Sequence, residues 1–498
     1  MKRIEQLTFT RFIIIILVLF AHDILGPYLN PFLFFPLEAL LRSGSTGVSY
    51  LFILSGFVMT IVYYKPGEKF DHFSFWRNRL IRLYPLYIFA FLLTCIYYYD
   101  SLFRIKPEKI LANIFILQSW IPKYAQSFNY VAWSMTVEVF FYLFFPFFLV
   151  WTYRQSTRKL INFSLVIWII STTIFQILWI GYIDQYRDFI LYFPLFYFNS
   201  FVLGVVGGIW YIREGRNETI STEKRFAVLT ASFLVIATYT VLSMDFFPSW
   251  PHLIQPITGF LAPLLIVFIV ALAMDQSFIS KFMVHPILVN MGELAYGIYI
   301  LHIPVKWLFE WALTSAGITN VEVVMYWAFL PLILSIAFIV HFYLDTPFRK
   351  WLKTFLKNIS LRILTLDFIL ILLLAYFMFP ARFGDGREYR SYQEMERLVL
   401  WLAFFIRPAM ALLFGTYRHE IVSKQGNQWL ISITLSALIG SLLIAVSVYI
   451  GYFTGWFENF PRSIFVIDWG IYTVFSILIR FAFRKLGVYK QEIEIMPL

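Results

Sequence analysis

Long apolar runs separated by short polar joins, many of them basic, set the pattern of this chain. The runs recur near residues 7–26, 44–64, 80–99, 132–152, 161–183, 189–212, 226–244, 256–274, 290–313, 323–344, 362–380, 397–416, 428–453 and 464–483. Each approaches the roughly 20 apolar residues that a helix needs to cross a bilayer. The pattern therefore predicts an all-α, polytopic integral membrane protein of about fourteen transmembrane helices. Threading it from a cytoplasmic N-terminus places KPGEKFDHFSFWRNR, YRQSTRK, REGRNETISTEKR, TPFRKWLKTFLK and FRKLGVYK inside. Roughly 25 of the 40 Lys and Arg then lie on the cytoplasmic side, the bias that membrane insertion imposes. Both termini are expected in the cytoplasm, and the membrane is expected to be the cell (inner or plasma) membrane.

The opening MKRIEQ enters the first run without a small-residue cleavage site and is expected to be part of a retained helix. The longest external connection is 100–131, where ILANIFILQSWI is too short to span and should be interfacial or re-entrant. After Arg362 a new helix and the charged loop FGDGREYRSYQEMER follow. This shift predicts a boundary near 358, dividing the chain into 1–358 and a four-helix region, 359–498. The charges of that region are expected chiefly at its span ends, at Arg382, Arg418, Arg462 and Arg484, where long side chains reach the interface.

Composition sharpens the class. The 498 residues are 60% hydrophobic and only 14% charged, as in membrane proteins. A net charge of +11 is in the range of nucleic-acid binders, but the cations sit in the joins between spans, so no nucleic-acid partner is expected. The single cysteine, Cys95, permits neither an intramolecular disulfide nor a cysteine metal cluster, and no metal site is expected.

Polar residues inside the apolar runs are the candidates for chemistry, because a charge at the helix centre costs about 2.5–3.5 kcal/mol on insertion scales. The first run holds Arg11 and His22, with Asp23 beside the histidine. Eleven positions apart, Arg11 and His22 project from nearly the same face, about three turns and roughly 16 Å along the axis. The second run carries Ser55-Gly56, which fits close helix packing or a polar lining from Ser55. At the entry to the third, FWRNRLIRLYPLY places Arg79 and Arg82 at i, i+3 with Arg77 just before them. Guanidinium pairs recognise phosphate; arginines here could also set topology or bind lipid headgroups. In AWSMTVEVFFYLFFP, Glu138 has Ser134 and Tyr142 one turn away on its face, and a carboxylate at that depth is either functional or an anchor for an arginine. ELAYGIYILHIP sets Tyr296, Tyr299 and His302 on one face, as a cavity lining or an aromatic belt. Asp345-Thr346-Pro347 closes the tenth run and reads as structural.

Taken together, Arg11 with His22, Ser55-Gly56, Arg79-Leu-Ile-Arg82-Leu-Tyr-Pro85, Trp133-Ser134 with Val137-Glu138, Tyr296-Gly297-Ile298-Tyr299 with His302, and Asp345 with Pro347 resemble acyltransferase family 3. These membrane acyltransferases modify cell-surface and secreted polysaccharides, and the resemblance covers about residues 1–350. It implies a ten-helix fold using cytoplasmic acyl-CoA, an essential histidine at His22, and important arginines at Arg11, Arg79 and Arg82. The 359–498 region resembles the four-helix membrane region of nucleotide-sugar dehydratases and polyprenyl-phosphate sugar transferases. Its carriers are Asp367, Arg382-Phe383, Phe414-Gly415-Thr416-Tyr417-Arg418, the Pro461–Trp469 run and Arg480. The soluble chemistry of those enzymes is not carried over.

On this reading His22 is a general base for a glycan hydroxyl attacking a thioester, with Asp23 or Glu138 orienting it and Arg11 on the cytoplasmic side. A covalent acyl-histidine relay fits the same residues. Arg77, Arg79 and Arg82 are expected to meet the phosphates of an acyl-CoA, taken to be acetyl-CoA, while Ser55, Ser134, Tyr299 and His302 line the cavity. Expected partners are a polysaccharide or lipid-linked glycan acceptor and membrane lipids, with glycan-assembly enzymes or a second copy meeting 359–498. The rival classes are a transporter or flippase and a membrane scaffold for glycan assembly.

Overall fold

The computed structural model describes residues 4–22, 44–100, 105–215, 221–241, 258–357, 359–383, 387–418, 427–453 and 462–485. It divides into two compact units, Met1–Arg349 and Lys350–Leu498. Secondary structure is helical throughout, with no strand among the described residues beyond an isolated bridge between Ile359 and Arg418.

The first unit contains α1 (Gln6–Ala21), α2 (Gly44–Tyr63), α3 (His72–Tyr97), α4 (Pro107–Ile114), α5 (Trp133–Thr152), α6 (Thr157–Tyr192) and α7 (Phe198–Trp210). It continues with α8 (Thr222–Val241), α9 (Ala262–Met274), α10 (Phe278–Met283), α11 (Pro286–Ser315), α12 (Val321–Ile339) and, running past its end, α13 (Thr346–Lys357). The second unit holds α14 (Leu361–Phe383), α15 (Arg387–Leu413), α16 (Gln428–Phe453) and α17 (Arg462–Lys485). Among the described residues, ten helical stretches are long and apolar enough to cross a membrane, which makes this a multi-pass membrane protein. Two apolar helices, α1 and α9, are shorter. Helices α8 and α15 occupy two further apolar runs but begin with the charged turns TEKR and REYR.

Local chemistry starts several helices where the sequence punctuates them. The Asp71 carboxylate caps α3 by accepting from Ser74 N–H at 3.1 Å, and Ser156 caps α6. Prolines open α4, α9 and α11, where a missing N–H removes no helical bond.

Glycine seams bring the elements together. A Cβ at Gly56 of α2 would collide with the carbonyl of Phe201, and one at Gly204 of α7 with the carbonyl of Ile53, so these helices touch backbone to backbone. Gly292 of α11 meets the carbonyl of Thr8 in the same way. That crossing lays the helix bearing Arg11 against the helix bearing His302. The expected packing role of Ser55-Gly56 therefore belongs to Gly56.

In the second unit the expectation that charge stays at the span ends is corrected. Asp367 and Arg480 are both fully buried and form a two-pronged ion pair at 3.0 and 2.7 Å. A second pair joins Arg407 to Asp468, with the Arg407 guanidinium over the Tyr472 ring. The physical reason is pairing: two opposite charges with fitted hydrogen bonds are tolerated where one alone is not. Gly415, at a φ of 68°, turns α15 so that Thr416 N–H meets the Ala411 carbonyl. The same turn places the Thr416 carbonyl 3.3 Å from Arg480 Nε and the Tyr417 ring beside the guanidinium.

Candidate active site

His22 terminates α1 as its C-cap residue, with its N–H bonded to the Val18 carbonyl at 3.1 Å. The expected continuation of this helix to Gly26, including Asp23, lies outside the described residues. The half-buried His22 ring sits 5.3 Å from the His302 ring and 5.4 Å from the Tyr130 ring, centroid to centroid. Three elements thus converge: the end of α1, the middle of α11, and the turn Tyr130–Ala132 before α5.

The position of His302 follows from a proline. Pro304 has no N–H, so the Ile300 carbonyl four residues earlier lacks its helical donor. Asn129 Nδ2 supplies that donor at 2.8 Å. One residue earlier on α11, the Tyr299 hydroxyl lies 3.0 Å from the Val131 carbonyl and 2.7 Å from Ser134 Oγ. The connector and the start of α5 therefore grip α11 at Tyr299 and Ile300, next to the histidine. His302 Nδ1 lies 2.6 Å from the Tyr299 carbonyl. A carbonyl only accepts, so Nδ1 carries the proton, and in a neutral ring Nε2 presents a lone pair. That Nε2 is buried and meets no hydrogen-bond partner among the described residues.

The same device recurs beneath this site. Pro146 frees the Tyr142 carbonyl, which accepts from Trp76 Nε1 at 2.9 Å and ties α5 to α3. The Tyr142 hydroxyl donates to Glu138, so the intramembrane carboxylate finds its partner one turn away, as the sequence spacing suggested. Glu138 is half-buried. Arg79 is buried, its guanidinium carbon 5.1, 5.5 and 5.6 Å from the rings of Tyr63, Phe75 and Tyr142. Three aromatic faces solvate a cation that has no carboxylate in ion-pair range among the described residues. Arg82 is exposed and Arg77 half-buried. Both Arg79 and Arg82 are close enough to act electrostatically on Tyr142.

The candidate residues thus fall into two clusters. His22, His302, Tyr299 and Ser134 gather around the Tyr130 turn, and Arg79, Arg82 and Glu138 gather around Tyr142. Arg11 lies on α1 between the Thr8 crossing and His22, close enough to act electrostatically on Tyr50. Ser55 is half-buried on α2 and makes no hydrogen bond among the described residues. Tyr296 reaches the Leu83 carbonyl of α3 at 2.8 Å. The face of α11 shared by Tyr296, Tyr299 and His302 therefore contacts α3, α5 and α1 in turn, and is no lipid-facing belt. Tyr130 and Asn129 were missed from the sequence because their segment carries no helical periodicity. The signal that could have found Asn129 is Pro304, which announces a carbonyl in need of a donor. No group of three or more metal-ligating side chains occurs among the described residues.

A multi-pass helical bundle with buried His302 beside half-buried His22, and buried Arg79 near Glu138, defines a class of membrane protein with ionisable side chains held inside its spans. The chain belongs to acyltransferase family 3: the family profile, described as an acyltransferase domain, matches residues 4–346. Among its relatives is a provisionally named O-acetyltransferase of Staphylococcus aureus strain MRSA252, 25% identical over 370 residues, covering 68% of this chain and 59% of that one. The O-acetyltransferase OatA of Staphylococcus aureus strain NCTC 8325 is 24% identical over 336 residues, covering 62% and 53%. The acyltransferase MdmB of Streptomyces mycarofaciens is 32% identical over 110 residues, covering 21% and 28%. The chain spans about 59% of the length of the first of these relatives. No solved structure matches it.

Proposed function

We propose that this protein is a membrane O-acyltransferase that moves an acyl group, expected to be acetyl, from cytoplasmic acyl-CoA to a hydroxyl of a cell-surface or lipid-linked polysaccharide. The observation that carries the reading is the His22–His302 pair, 5.3 Å apart, with the His302 tautomer set by the Tyr299 carbonyl. Family membership and the O-acetyltransferase names of the relatives support acyl transfer to oxygen.

In this mechanism His22 accepts the proton of the acceptor hydroxyl as its oxygen attacks the thioester carbonyl. The new carbon–oxygen bond forms, the carbon–sulfur bond breaks, and the proton passes to the departing thiolate. In this mechanism His302 is the neighbour that packs its ring beside His22, where the sequence offered only Asp23 or Glu138. Arg79, Arg82 and Arg77 lie at the start of α3, and a cytoplasmic start puts them where the phosphates of coenzyme A arrive. An aromatic-backed guanidinium and an exposed one fit a phosphate clamp. Fourteen crossings, counting α1, α8, α9 and α15 with the ten longer stretches, would leave both termini in the cytoplasm at the plasma membrane. The boundary near 358 then separates a ten-helix enzyme from a four-helix region that docks it beside glycan-assembly enzymes or a second copy.

The test compares surface glycans by mass spectrometry from cells carrying the intact chain, no chain, and His22→Ala. The intact chain should add an ester that His22→Ala reduces by about 10²–10⁴-fold, the usual weight of a general base. The purified protein should require acyl-CoA. Ester levels within about tenfold of the parent would count against the role.

A further inference from the structure

Away from the histidine pair, a cavity of about 450 Å³ opens among α6, α7, α8 and α9, a size typical of ligand pockets. One stripe of α9 walls it along its whole length: Pro263, Ile266, Val270 and Met274. Eleven residues at 1.5 Å each make this about 17 Å, or roughly half the ~30 Å hydrocarbon core. Leu203, Val206 and Gly207 of α7 continue the lining, with Gly207 packed directly against Ile266, and polar lining is almost absent along the slot. Its character changes at one end. There Trp210, exposed Lys224 and half-buried Arg225 form the rim, and Arg225 Nη1 reaches the Met274 carbonyl at 3.1 Å.

An apolar slot one leaflet deep, ending in an interfacial tryptophan and two cations, has the chemistry of a lipid with an anionic headgroup. The rim lies beside the join REGRNETISTEKR, which positive-inside bias assigns to the cytoplasm. The cytoplasmic leaflet is also the one that carries anionic lipid. We propose that this cavity binds one acyl chain of an anionic phospholipid of the cytoplasmic leaflet, with its phosphate held by Lys224 and Arg225. The site is independent of the transfer chemistry, since none of its walls belongs to the histidine or arginine clusters.

Native mass spectrometry of the purified full-length protein, delipidated in detergent, tests it with phosphatidylglycerol and phosphatidylcholine of matched chains. Phosphatidylglycerol should be retained roughly 30-fold better, the weight of two interfacial cations. Lys224→Ala should reduce that preference about fivefold. Val267→Trp, at an exposed position lining the slot, should abolish retention of either lipid while leaving the unfolding temperature in lipid-free detergent unchanged. Equal retention of the two lipids by the parent protein would overturn the proposal. So would phosphatidylglycerol retention that survives both Val267→Trp and Lys224→Ala.

Discussion

Arg79 and Arg82 share a sequence motif but not an environment. The first is buried under three aromatic rings and the second is exposed. A desolvated guanidinium over aromatic faces gains up to about 2 kcal/mol from each favourable stacking, and lysine offers no plane to stack. Arg79→Lys should therefore weaken acyl-CoA binding about tenfold in a direct titration, and Arg82→Lys should weaken it markedly less. Equal losses would show that the aromatic box plays no part in donor binding. The helical repeat made the pairing of these residues legible in the sequence, as it did the Glu138–Tyr142 contact. It could not reveal which arginine the aromatic rings enclose, since those rings come from three separate helical turns on α2, α3 and α5.

At the scale of the element, two internal prolines do the same work: each frees one carbonyl, and a side chain from a neighbouring segment takes it. Asn129→Ala would leave the buried Ile300 carbonyl without a donor, at a cost of roughly 1–3 kcal/mol. Pro304→Ala supplies an N–H at the right position, so the double variant Asn129→Ala/Pro304→Ala should unfold at a higher temperature than Asn129→Ala alone. Strict additivity of the two losses would mean that the bond contributes nothing to holding α11. Helix existence was legible nearly everywhere, because apolar runs of this length have few other folds. The connector 105–132 was not, since its 3-10 turns and the left-handed Ile116 and Phe128, at φ values of 57° and 59°, follow no period. That segment supplies Tyr130 and Asn129, which is why those two members of the histidine site escaped the sequence.

For the whole molecule, every described candidate residue of the transfer site lies in the first unit, Met1–Arg349. The second unit has its own apolar core around Ile371, Phe379, Met395 and Val448, and its own buried ion pairs. A chain ending near Asn358 should accordingly keep acyl transfer in detergent within about threefold of the full chain, given donor and acceptor, and lose glycan modification in cells through mislocation. A folded but inactive truncation would make the second unit part of the active one. The charged loop after Arg362 led to an expected boundary near 358, and the chain forms compact units whose boundary falls between Arg349 and Lys350; the ion pairs inside the second unit were not legible, because periodicity does not say which charges face each other.

The seam between α2 and α7 bears on how the first unit moves. Where Gly56 and Gly204 set carbonyl against α-carbon, neither helix can roll or slide without backbone collision, and no side-chain rotamer can absorb the displacement. The two helices behave as a stator. In the proposed reaction the passage for an acyl arm therefore opens beside this pair and not between its two helices.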